Sequence, residues 1–114
     1  MTIIAAIIVT MTSYAPACGG INGSLRNRYA DNSSTPQVAH NLTVAACGAR
    51  WKLGTVLDVR GAERFGVTRV VCRDRGSAVR GIDVLSYTGD GCAVDRAIAM
   101  DIGKRRVEVM EVTP

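Results

Sequence analysis

The stretch Val70-Val71-Cys72-Arg73-Asp74-Arg75-Gly76-Ser77-Ala78-Val79-Arg80-Gly81-Ile82-Asp83-Val84-Leu85 decides how this chain reads. A β-branched apolar run delivers Asp74 to a turn containing Gly76, and Gly81 then releases the chain into a second apolar strand that carries Asp83. Val and Ile are stiff at χ1 and suit a pleated surface, while the glycines act as punctuation. Both aspartates are thereby set near strand ends, close enough to share a cleft if the turn folds back. Asp-x-Gly is also a common turn signal in its own right. The neighbouring Arg73, Arg75 and Arg80 either hold anionic groups of a ligand or neutralise the aspartates.

Toward the N-terminus, residues 66–72 supply a strand through Val67, Val70 and Val71, and residues 53–59 alternate well enough for another, closed by Arg60-Gly61. Residues 42–47 and 2–14 read as two more. Between these last two lies a polar stretch, 15–41, rich in Gly, Asn, Ser and Arg, with Pro16 and Pro36. Loops of that length are unusual in a compact domain and often form lids or binding rims; a mobile insertion is the alternative. Toward the C-terminus, residues 82–85 form a short strand and Gly89-Asp90-Gly91 marks a turn and helix start. Val94, Ala97, Ile98 and Ile102 recur at helical spacing over 92–102, and Gly103 stands where a helix end favours a left-handed residue. Residues 106–112 alternate as a last strand. The result is one mainly β domain over 1–114 with six strands, one short helix and a long polar loop. Closure into a barrel is the economical way to leave no sheet edge open.

A net charge of +4, carried by twelve arginines and two lysines, favours an anionic polymer such as peptidoglycan, teichoic acid or nucleic acid. Acids are interspersed with these bases, so a solvated basic surface is the plainer reading, and Lys104-Arg105-Arg106 reads as helix-end charge. Nucleic acid is not expected: no motif for it is present, and Tyr14, Tyr29, Trp51, Phe65 and Tyr87 are few for stacking bases. Trp51 and Tyr14 are candidates to stack on a sugar ring, with a place in the core or a brace for the long loop as equal alternatives for each. The apolar run 3–9 has no basic residue before it and is too short to span a bilayer, so it reads as a buried strand and not as a targeting segment.

Cys18, Cys47, Cys72 and Cys92 include no CxxC pair, and His40 is the single histidine, so neither a zinc site nor another cofactor is expected. Four cysteines permit three pairings, and sequence does not choose among them. Cys47 with Cys72 and Cys18 with Cys92 is the expectation, four buried thiols the alternative. Disulfides imply an oxidising place, whether extracellular, periplasmic or virion-associated. Without a visible signal peptide, they fit a protein released by lysis, such as a phage virion component.

Two carboxylates are the minimum equipment for acid–base work on a glycosidic bond, provided that burial or crowding keeps one protonated. The run from Asp74 to Val84 resembles the signature of the 3D domain, named for three aspartates, which ends membrane-bound lytic transglycosylase A. Relatives occur in rare lipoprotein A, barwin and expansins. Thr12-Ser13-Tyr14 resembles the Thr-Ala-Tyr opening of that family. Val44-Ala45-Ala46-Cys47-Gly48 followed by Trp51-Lys52-Leu53-Gly54-Thr55 resembles its Ala-Val and Pro-Leu-Gly-Thr block. Residues 97–103 followed by Val107-Glu108-Val109 resemble its closing helix, glycine and strand. The likeness covers most of the chain outside 15–41.

It implies a six-stranded double-psi β-barrel with a substrate groove across its face. It also implies peptidoglycan or a related polysaccharide as partner, with Asp83 as catalytic acid, Asp74 as the first signature aspartate and Asp90 as the third. Thr12, Tyr14, Trp51, Arg75 and Arg80 would line the groove. The implied chemistry consumes no water: the acid protonates the oxygen leaving N-acetylmuramic acid, and the muramyl 6-hydroxyl then closes a 1,6-anhydro ring. The alternative is a non-catalytic wall-binding module, or a structural subunit of a phage virion or surface assembly. Two departures stand out. Asp74 and Asp83 are nine positions apart, closer than in lytic transglycosylase A, and Cys47 stands where rare lipoprotein A has a histidine.

Overall fold

The structure, a computed structural model, describes residues 6–18, 41–76 and 78–112. Expectations for residues 2–5, for most of the 15–41 stretch and for His40 lie outside the described residues. Six strands are present among those described: β1 (Ile7–Tyr14), β2 (Val44–Cys47), β3 (Val56–Arg60), β4 (Arg69–Asp74), β5 (Ile82–Leu85) and β6 (Arg105–Val112). One helix, α1 (Cys92–Ile102), precedes β6. Single 3₁₀ turns follow β1 (Pro16–Cys18) and β3 (Glu63–Phe65).

The strands close into a barrel in the order β1-β5-β2-β4-β3-β6. The β1–β5 and β2–β4 pairs are parallel and the other four antiparallel. Alternation along each strand sends one set of side chains inward. Met11, Ala45, Leu57, Val70, Val84 and Val109 meet in a core from which water is excluded. Truncating a fully buried member such as Leu57 would cost about 2–5 kcal/mol.

The two disulfides sit in different settings. Cys47 and Cys72 join β2 to β4 inside the core, with an S–S length of 2.10 Å. Cys18 and Cys92 tie the 3₁₀ turn after β1 to the first residue of α1.

Several element boundaries differ from expectation for local reasons. The second strand begins at Val44, because Leu42 adopts φ 63°, outside the extended region. The fourth begins at Arg69 and not at 66, because Gly66, at φ 83°, ends the preceding 3₁₀ turn. Helix α1 spans the expected residues but is rotated from the expected face. Asp95 and Ile102 are buried and Ile98 partly so, whereas Val94 and Ala97 face solvent.

Two glycines mark places where backbones cross. A Cβ on Gly48 would lie 2.2 Å from the Arg80 carbonyl oxygen, and one on Gly81 would lie 2.1 Å from that of Thr10. The Gly48 N–H donates to the Gly81 carbonyl at 2.9 Å. No larger residue fits at either crossing.

Candidate functional site

The register places Thr12 of β1 beside Asp83 of β5, Asp83 beside Ala46 of β2, and Ala46 beside Asp74 of β4. These four residues form a row across four adjacent strands, on the outer face of the barrel. Asp74 reaches that face through an irregularity. Ala45 pairs with Cys72 but Ala46 pairs with Asp74, so Arg73 is an extra residue in β4. Without this bulge, Asp74 would share the inward phase of Cys72; the inserted residue re-aims it.

The Thr12 hydroxyl donates to Asp83 Oδ1 at 2.8 Å. Burial pushes the Asp83 carboxyl above the usual carboxylate range; the Thr12 hydrogen bond opposes the rise and the Asp74 charge adds to it. Asp74 is 8% exposed and accepts the Arg75 N–H on Oδ1 at 2.7 Å. One strand lies between the acids, so their Cα atoms are about two interstrand spacings apart, roughly 10 Å.

The other expected site residues divide. Arg75 is used structurally, its guanidinium donating to the carbonyls of Cys47 at 3.2 Å and Gly48 at 2.7 Å. Arg80 is exposed beside the same crossing, where its own carbonyl faces Gly48. Tyr14 continues the row's face two residues beyond Thr12, but it is buried in a small apolar cluster with Val44, Ala46 and Leu85. Trp51 is not available to a sugar: it is 6% exposed, packed into the main core, with the Arg50 guanidinium carbon 5.5 Å from its ring centre.

Asp90 does not join the row. It is exposed in the turn before α1, and its N–H donates to Thr88 Oγ1 at 3.0 Å. The buried aspartate of this region is Asp95, which sequence reasoning missed. Its Oδ1 accepts the Thr88 N–H at 2.9 Å and the Thr88 hydroxyl at 2.5 Å, while the Ser86 hydroxyl donates to its backbone carbonyl. Asp95 anchors the β5–α1 turn. The available signal was its phase, because Asp95, Ile98 and Ile102 lie on one helical stripe.

Among the described residues, no group of three or more His, Cys, Asp or Glu is arranged to hold a metal ion. No helix there is long and apolar enough to cross a membrane.

Six strands closed in this order, with two parallel pairs and a single helix before the last strand, define a double-psi β-barrel. In structure the chain is similar to cerato-platanin 3 from M. perniciosa, with a TM-score of 0.52 and 18% identity, covering 94% of this chain and 95% of that one. At that identity the likeness is one of fold. No protein-family model matches the chain, and neither does any curated protein sequence.

Proposed function

We propose that this protein acts on cell-wall polysaccharide, as a small lytic transglycosylase-like domain with Asp83 as its acid and base. The observation that carries the reading is Asp83 itself: a partly buried carboxyl on an outward face, raised above its usual range by burial and facing a second carboxylate. A group so placed keeps its proton closer to neutrality, as a general acid requires. Asp83 donates its proton to the glycosidic oxygen as that bond to the anomeric carbon breaks. The resulting carboxylate then accepts the proton of the 6-hydroxyl as that oxygen bonds to the same carbon, which returns Asp83 to its starting state. One carboxylate suffices, because the substrate's own 6-hydroxyl is the nucleophile and Asp83 only moves its proton. Asp74 contributes negative charge toward the cation-like transition state.

A non-catalytic wall-binding role is the second reading, for a lone domain or a subunit of a virion or surface assembly. The Thr12 hydrogen bond favours it, since a hydroxyl donated to Asp83 supports the ionised form. Either role fits an extracellular, periplasmic or virion setting, because two disulfides persist where the surroundings are oxidising.

The test is a digest of purified peptidoglycan sacculi, read by mass spectrometry for 1,6-anhydro-muropeptides, with Asp83→Asn alongside. Wild type is expected to release them and the variant to fall by at least about a hundredfold, the lower end of what a general acid contributes. Wild-type protein that pellets with sacculi and releases nothing would replace catalysis with binding.

A further inference from the structure

The row of acids has two ends, and each is marked by an arginine. On the β1 side, Arg106 of β6 is the register partner of Thr10, two residues before Thr12. Its neighbour Val107 points into the core, so Arg106 faces outward, and it is exposed. A long side chain on a diagonal neighbour, about 7–8 Å away, reaches across to Thr12. On the β4 side, Arg73 is the bulge residue immediately before Asp74 and is likewise exposed.

Among the described residues, neither arginine is paired with a carboxylate. Glu108, the next outward residue of β6, is otherwise committed, lying 3.5 Å from Arg60. Arg105, adjacent in sequence to Arg106, has a different task. Its Nε donates to the Ile102 carbonyl at 2.7 Å, closing the end of α1, and its guanidinium lies 4.2 Å from the Phe65 ring centre. The basic run 104–106 is thus not one patch of helix-end charge; its third member belongs to the face of the acids.

We infer that the groove is built for an anionic glycan lying across the strands from β6 to β4, its negative groups held by Arg106 and Arg73 on either side of Asp83 and Asp74. This rests on the reading of the row as a polysaccharide site. Arg106 to Arg73 spans β6, β1, β5, β2 and β4, which is four interstrand spacings or roughly 19 Å along the wall, the length of a short oligosaccharide. Cationic ends with a hydrogen-bonding, acid-bearing middle match a polymer that carries carboxylates at intervals and reacts between them. A cationic polymer would meet repulsion at both ends, and a neutral one would leave both arginines unused.

The test compares co-sedimentation with native sacculi and with sacculi whose carboxylates have been amidated, the glycan strands being left intact. Wild type is expected to bind native sacculi at least tenfold more tightly than amidated ones, with the preference shrinking as salt rises from low to about 0.5 M. Arg106→Gln and Arg73→Gln should each cut that preference severalfold, and the double variant should abolish it. Equal binding to both preparations, or a preference that survives in the double variant, would overturn the inference while leaving the wall-active reading in place. Binding to neither would overturn both.

Discussion

At the scale of the residue, Ala46 links the two acids, since it is the register partner of Asp83 on one side and of Asp74 on the other. Its methyl group adds little bulk to the surface between them. Asp83 has a measurable cost. With its folded-state pKa raised by burial, the native protein holds a proton that the unfolded chain releases between the ordinary carboxylate value and the raised one. Stability therefore falls as pH rises through that window and stays lower above it. Asp83→Asn removes the buried charge and still offers Thr12 an acceptor. Thermal melts should show the variant more stable than wild type at pH 7, with the gain vanishing below the ordinary carboxylate range. A variant equally or more destabilised at neutral pH would contradict this account. Asp83 was legible in the sequence because it lies in phase with its strand. Asp74 was legible as a candidate but not in its orientation, because a bulge leaves no mark in composition and reverses what strict alternation implies. For Trp51 a core position and a sugar-stacking one were equally open, because an aromatic residue between Arg50 and Lys52 carries no mark of its side until the core closes over it.

At the scale of the element, what could be read followed periodicity. Helix α1 and strand β5 fall on the expected residues, since each carries a regular apolar repeat between glycine-marked ends. The rotation of α1 was less accessible, because Asp95 counted as polar although it is buried, its Oδ1 held by the Thr88 N–H and hydroxyl. The loop crossings also escaped notice: Gly48 and Gly81 look like ordinary turn residues, yet each holds two backbones in contact. Gly48→Ala should consequently cost about 3 kcal/mol or more, above the usual range for a modest overpacking, because the obstructing atom is a carbonyl oxygen and not a flexible side chain. Chemical denaturation would measure it. A loss under 1 kcal/mol would mean that the 75–80 connection yields easily. Because Arg75 grips the Gly48 carbonyl at 2.7 Å, such yielding would also shift the strand end that carries Asp74.

At the scale of the whole molecule, the two disulfides should respond differently to reductant. Cys47 and Cys72 are 1% and 0% exposed, whereas Cys18 is open to solvent and Cys92 is the first residue of α1. A thiol on the first turn of a helix is the better leaving group, because the backbone amides there stabilise its thiolate. Under mild dithiol treatment of the folded protein, alkylation and peptide mapping should find Cys18 and Cys92 labelled at least tenfold faster than Cys47 and Cys72. Equal rates would show that the core bond is reached only through global unfolding shared by both.

The strand order carries one more consequence, for the history of each molecule. β1 is synthesised before every other strand of the barrel, yet its neighbours are β5 and β6, the last two in chain order. Until the ribosome has delivered β5 and β6, β1 has both edges bare, and an unpaired apolar strand is a template for pairing with another chain. Such long-range topologies fold slowly and are exposed to aggregation while they wait. The closed form has no edge to offer, so the danger is confined to that interval. Yield in a refolding or expression experiment is thus expected to follow how long β1 stays single as well as the stability of the finished barrel.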